Sequence, residues 1–331
     1  MKKLTSLCVL LAFIFQGCKD KSSYKYLPES IGQVQSILVV MEDQLWEGAV
    51  GDSIRKAFLS PIKGLSVPEP AHQIQHIPPS VFKGTVKQNR TVLAVDIDSL
   101  AIAHIKRDVY ARPQRVAVVK GRTEAEILEQ LSVGISAFKA TFKNLELAQM
   151  QERFRRSTNK EKGIETLLGV ALDIPSAYRL GKATSDFVWL DRAIPAGSSN
   201  IIAYALPADS FSQPETFVAD IVAKRDSVVK LQIPGPDVPG KTTYMRTETV
   251  FMPYVKAVEF AGYKGVEVRG IWDISGYPMA GPFVSYILND PAQNRKIVIE
   301  GFVFAPNKPK RDYLFELEAI IKTIHAVETT D

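Results

Sequence analysis

The chain has 331 residues, 46% of them hydrophobic and 23% charged, with a formal net charge of +5 at pH 7. Its basic residues are dispersed instead of forming a stripe and no nucleic-acid module is recognisable, so the composition describes globular cores with a solvated surface and argues against a nucleic-acid partner. Both cysteines, Cys8 and Cys18, fall in the first eighteen residues, which excludes a disulfide or a thiol nucleophile in the remainder.

At the N-terminus, Lys2 and Lys3 precede an apolar run from Leu7 to Phe15 and then Gln16-Gly17-Cys18. The run is shorter than the ~20 residues a bilayer crossing needs. A small residue followed by cysteine marks residues 1–17 as a cleaved bacterial lipoprotein signal. Cys18 is then the expected lipidated N-terminus, giving a membrane partner through the lipid, and without Lys2 and Lys3 the formal charge falls to +3. Residues 18–33 are polar and aperiodic and read as a tether.

Folded structure is expected from residue 34. Ile37 to Met41 has the length and branching of a buried strand, and a helix follows from about Leu45 to Phe58. Pro61, Pro68, Pro70, Pro78 and Pro79 break up an extended stretch before strands at Thr91 to Ile97 and Arg115 to Lys120. Thr123-x-x-Glu126 forms a capping box opening a long helix. Leu128, Leu131, Ile135, Phe138, Phe142 and Leu145 line one face of it. Residues 34–150 are therefore expected to form an α+β sandwich of ferredoxin-like type.

The polar segment from Gln151 to Gly163, with five basic and two acidic residues, places a boundary at 151–175, the alternative being a helix that runs on through both halves. In residues 176–331, the stretches Ala177 to Arg192, Asn200 to Leu206, Thr242 to Phe251, Val255 to Phe260, Gly265 to Asp273, Pro282 to Asn289 and Arg295 to Ala305 read as strands. Helices are expected from Thr216 to Leu231 and near Lys310 to Val327. The class is α+β, with two small domains, each a mainly antiparallel sheet packed by helices.

Catalytic patterns fail on context. Ser136-x-x-Lys139, Ser198-x-Asn200 and Lys241-Thr242-Thr243 follow the order of penicillin-binding enzymes, but Ser136 lies deep in the long helix instead of opening one. His72 and His76 on a strand stand ~13 Å apart and cannot share a metal. His104 and His325 are isolated. Gly235 to Gly240 contains two prolines, which lack the amides that cradle phosphate. No cofactor is expected. The best candidate surface is Trp272, Tyr277, Met279 and Phe283 among the turn-forming Gly276, Pro278, Gly281 and Pro282, although such aromatics also cap sheets. Trp46 and Arg55 carry the same ambiguity.

Asp43-Gln-Leu-Trp46-Glu-Gly48, Gly51-Asp52-Ser-Ile-Arg55, Ile174-Pro175-x-x-Tyr178, Arg269-Gly270-Ile-Trp272 and Pro278-Met279-Ala280-Gly281-Pro282-Phe283 together resemble the Bacteroidetes lipoproteins grouped as domain of unknown function 4837. The resemblance implies a cell-envelope setting and lends no catalytic residue. In that setting Lys19-Asp20-Lys21 lacks the acidic cluster of surface-exported lipoproteins, so the outer membrane's periplasmic face is expected. Asp-Ser-apolar triplets resembling an O-glycosylation acceptor place candidate sites at Ser99, Ser53 and Ser227, Ser99 first because it follows a strand in a reachable turn. The function expected is a noncatalytic lipoprotein binding an envelope protein or glycan. The alternative is a hydrolase with a carboxylate site assembled in the fold from residues such as Asp191, Glu248, Glu267 and Asp273.

Overall fold

The computed structural model describes residues 26–195, 197–211 and 214–327; the expected signal segment and Cys18 lie outside them. The fold is α+β, with two sheets joined by one long helix.

In the first half, β1 (Ser36–Val40), β2 (Gln73–Ile77), β3 (Thr91–Ile97), β4 (Ile102–Arg107) and β5 (Arg115–Gly121) form a sheet of order β2-β1-β3-β5-β4. The β1–β2, β1–β3 and β3–β5 pairs are parallel, and the β4–β5 pair is antiparallel. This sheet is therefore neither mainly antiparallel nor ferredoxin-like, a correction to the expectation. The reason is visible in β1 and β5, whose apolar runs are buried on both faces, as parallel strands require. On one face lie α1 (Asp43–Glu47), α2 (Ala49–Phe58) and the start of α3 (Glu124–Arg155). Phe82, Val86 and Tyr110 cover Leu38, Val92 and Val118 on the other. The edge strands β2 and β4 are short and polar and were not legible as strands. Glu29 and Ile31 bridge to Arg112 and Asn89, so folded contacts begin inside the expected tether.

Helix α3 starts where its cap predicts: the Glu126 backbone N–H donates to Thr123 Oγ1 at 3.3 Å. It then serves two cores. Ile127, Leu131, Phe138 and Phe142 pack with Ile37, Ile54, Phe58 and Leu93, whereas Leu147, Met150 and Phe154 join the core of the second half. The charged residues after Gln151 extend the helix as far as Arg155.

The second half contains α4 (Gly163–Leu168), β6 (Val170–Ala171), β7 (Arg179–Ala183), β8 (Phe187–Ile194), β9 (Gly197–Pro207), α5 (Phe217–Gln232), β10 (Met245–Thr247), β11 (Tyr254–Phe260), β12 (Tyr263–Ile274), β13 (Tyr277–Asp290), β14 (Arg295–Phe304), α6 (Arg311–Ile321) and β15 (His325–Ala326). Its main sheet is antiparallel, in the order β10-β12-β13-β14-β9-β8-β7, with β11 also on β12. The expected strand from Ala177 to Arg192 divides at a turn, and that from Thr242 to Phe251 shrinks to β10.

Alternation along β13 shows why this sheet is buried on both faces. Phe283 and Ile287 point toward α5, and Val284, Tyr286 and Leu288 point toward α3, α4 and α6. Arg225 on α5 meets Glu300 on β14, Nη2 to Oε1 2.7 Å, with both side chains buried. Such a pair is costly to break because either partner alone is an uncompensated buried charge. Among the described residues no helix is long and apolar enough to cross a membrane.

Candidate functional site

The two halves meet at a cleft of about 460 Å³ between α3, α6, β11, β12 and the loop after α2. Its floor is a buried charge cluster. Glu318, in the last turn of α6, holds Arg269 Nη2 at 2.8 Å on Oε2, with Lys143 Nζ at 2.6 Å and Lys322 Nζ at 2.9 Å on Oε1. Burial alone would raise the Glu318 pKa, but Lys143, Arg269 and Lys322 outweigh it and hold the carboxyl well below the usual range. Arg269 and Tyr286 donate to the two oxygens of Glu267, the latter at 2.9 Å. Burial and the neighbouring Glu318 and Glu267 push the Tyr286 hydroxyl up. Three of the four glutamate oxygens thus accept hydrogen bonds from protein donors, and the fourth, Glu318 Oε1, is ion-paired to two lysines.

At the opposite wall, the end of α2 offers unpaired carbonyls, as every helix C-terminus does. Lys139 Nζ donates to Ala57 O at 3.0 Å, and His72 Nδ1–H to Phe58 O at 3.1 Å. Burial, followed in effect by the Lys139 and Arg311 charges, lowers the His72 pKa from 6.5 to about 4 despite the Phe58 hydrogen bond, so the ring is neutral at pH 7. Lys256 on β11 stands in register with Glu267 but makes no ion pair with it, and Lys63 projects from the loop. Leu314 and Phe315 supply an apolar wall. The lining therefore sets seven basic residues against two acidic ones.

A second depression, of about 500 Å³, lies on the α5 side between Phe211, Phe217, Val266 and Ile287. Its charged residues, Glu259, Lys264 and Lys296, do not form a cluster of one sign. The cleft is the better-defined site.

The candidate surface residues singled out from sequence fall elsewhere. Trp272 and Phe283 are each 1% exposed and belong to the core against α5. They face small partners across the β12–β13 hairpin, Trp272 opposite Gly281 and Gly270 opposite Phe283. A Cβ on Gly270 would lie 2.8 Å from the Phe283 ring, and one on Gly281 3.0 Å from Trp272. The motif thus records cross-strand packing, with Arg225 Cζ 4.1 Å over the Phe283 ring. Met279 is partly buried, and Tyr277, 40% exposed, stays at the surface. Exposed apolar groups instead gather at Val250, Phe251 and Met252. Trp46 lies between the His76 ring, stacked at 4.7 Å, and the Arg55 guanidinium at 4.5 Å, clamping the turn from α1 to α2.

Of the four hydrolase carboxylates, Glu267 lines the cleft. Asp273 pairs with Arg246 at 2.8 Å, and Glu248 accepts the Val250 and Phe251 amides. Asp191 sits on β8, four strands from β12, or roughly 19 Å. They do not converge. Ser99 occupies an exposed bend, its hydroxyl donating to Asp98 at 3.2 Å; Ser227 is exposed on α5, and Ser53 is half-buried in α2. Sequence reasoning missed Lys143, Lys322 and Glu318, although Glu318 falls on the apolar face of α6, four residues from Leu314, where a charge signals a buried partner.

The fold and cleft define a two-part α+β protein with a basic inter-half site. The chain belongs to the family described as domain of unknown function (DUF4837), whose pattern matches residues 157–323. Residues 30–155 match a second family, domain of unknown function (DUF8532), so the Asp43 to Arg55 motif lies in that part and the other motifs in the first. A search of curated proteins returns no match. Among solved structures, the chain is similar to the Ran-binding protein Mog1p of Saccharomyces cerevisiae at 9% identity and TM-score 0.34, over 49% of this chain and 92% of that one. It is also similar to LpqN, involved in cell envelope biogenesis of Mycobacterium tuberculosis, at 15% identity and TM-score 0.29, over 47% and 82% of the two chains. Likenesses of this size carry no functional assignment.

Proposed function

We propose that the protein is a noncatalytic lipoprotein, anchored through Cys18 on the periplasmic face of the outer membrane, that binds an envelope component in the cleft between its halves. The observation carrying this reading is the cleft itself: it has the volume and mixed lining of a ligand site, while its glutamates are engaged as structural partners instead of being left for acid–base work. The anchor rests on the N-terminal sequence, and Ser99 is the glycan acceptor in the same reading.

Two measurements test it. Cys18→Ser is expected to move the protein into the soluble periplasmic fraction; retention on membranes after a high-salt wash overturns the anchor. Native mass spectrometry of the membrane-extracted protein is expected to show a bound component that Ala140→Trp, at an exposed cleft position of α3, displaces. A component retained by that variant, or none in the wild type, overturns the cleft as binding site. The same spectra read the lipid and a glycan mass removed by Ser99→Ala.

A further inference from the structure

Helix α3, the loop after α2, α6 with the residue that follows it, and strands β11 and β12 together bring more positive charge to the cleft than the protein itself compensates. Seven basic residues face two glutamates, and each glutamate oxygen is already hydrogen-bonded or ion-paired within the protein. Arg311 shares Asp312, Nε to Oδ1 2.7 Å, and Lys139 holds a carbonyl, whereas the Lys63 and Lys256 ammonium groups make no ion pair among the described residues. Like charges gathered in a half-enclosed space repel more strongly than in open water. Packing gives no reason for assembling them, but a counter-charged ligand does.

Resting on the cleft as the binding site, we propose that its ligand is a small polyanion carrying two or more phosphate groups. A single carboxylate leaves most of the excess uncompensated. Separate ammonium groups spread around a rim act as point charges for phosphate oxygens, unlike the paired fork that one planar carboxylate prefers. Leu314 and Phe315 leave room on one wall for an apolar or sugar portion. Two sources share this chemistry, a soluble phosphorylated compound and a phospholipid-type headgroup. The second is given weight by Val250 and Met252, 80% and 70% exposed, in the loop leading to Tyr254 at the cleft edge.

The test uses the mature chain carrying Cys18→Ser, which removes the lipid's own membrane affinity. Pyrophosphate is titrated calorimetrically, and binding to phosphatidylcholine vesicles is measured with and without cardiolipin, a lipid whose headgroup carries two phosphates. Binding of either probe is expected, weakened about tenfold by Lys63→Gln with Lys256→Gln, reduced by salt, and unchanged by Lys224→Gln on the exposed side of α5. Without probe, the double variant is expected to melt no lower than the wild type, because it removes repulsion. Pyrophosphate binding points to a soluble ligand; binding to anionic vesicles alone points to a headgroup. Failure of both probes, or equal binding by the double variant, overturns the polyanion. If native mass spectrometry at the same time shows a phosphate-free component displaced by Ala140→Trp, the ligand class falls and the binding site stands.

Discussion

His72 shows how one buried side chain imposes a pH dependence on the whole protein. Its ring is held neutral against Phe58, edge to face at 5.6 Å, with a folded pKa of about 4 against 6.5 for the free side chain. Between those values the unfolded chain binds a proton that the folded chain does not. Stability from this residue is therefore full above pH 6.5 and is lost as pH falls toward 4, by about 3 kcal/mol at the limit. His72→Gln keeps a donor for the Phe58 carbonyl and does not titrate. Denaturant midpoints measured across this range are expected to slope less in the variant; an unchanged slope would show that His72 is not the group responsible.

Among the elements, α6 is held by a residue distant in the chain. The Glu69 carboxylate accepts the backbone N–H groups of Lys310 and Arg311, at 2.8 Å each, from the loop of the first half. These are orphan donors of a helix N-terminus, and a carboxylate there also meets the positive end of the helix dipole. Glu69→Ala is expected to cost about 1 kcal/mol and to speed hydrogen exchange at the first turn of α6. Exchange unchanged at that turn would mean that water replaces the cap without loss. The start of α3 was legible because Thr123 and Glu126 are only three residues apart in sequence. The cap of α6 was not, because its two partners are some 240 residues apart.

For the whole molecule, α3 decides which half stands alone. Leu147, Met150 and Phe154 enter the second core. Burying each contributes about 2 kcal/mol, so removing all three takes about 6 kcal/mol from a domain whose total stability is expected near 5–15 kcal/mol. Residues 26–160 keep all of α3 and the first core and are expected to unfold cooperatively, at a lower denaturant midpoint than in the intact chain. Residues 157–327 lack the three side chains and are expected to give no cooperative transition. A sharp transition from that fragment would show that the second core closes without α3.

What the sequence determined by itself was whatever local physics controls: the α+β class, the long capped helix, most strands of the second sheet, and a family resemblance carried by short motifs. Turn-forming neighbours made Trp272 and Phe283 a candidate surface, with aromatics capping the sheet as the alternative, because the cross-strand glycines that receive the rings were not identifiable as partners. Strand direction in the first sheet, the shared role of α3, and the cleft were decided by tertiary structure alone. Each depends on pairing across long stretches of chain: β1 beside β3, Lys143 and Arg269 on Glu318, Lys256 across from Glu267. A local pattern reports which face of an element is apolar, but which distant charge comes to lie against that face follows only from the closed fold.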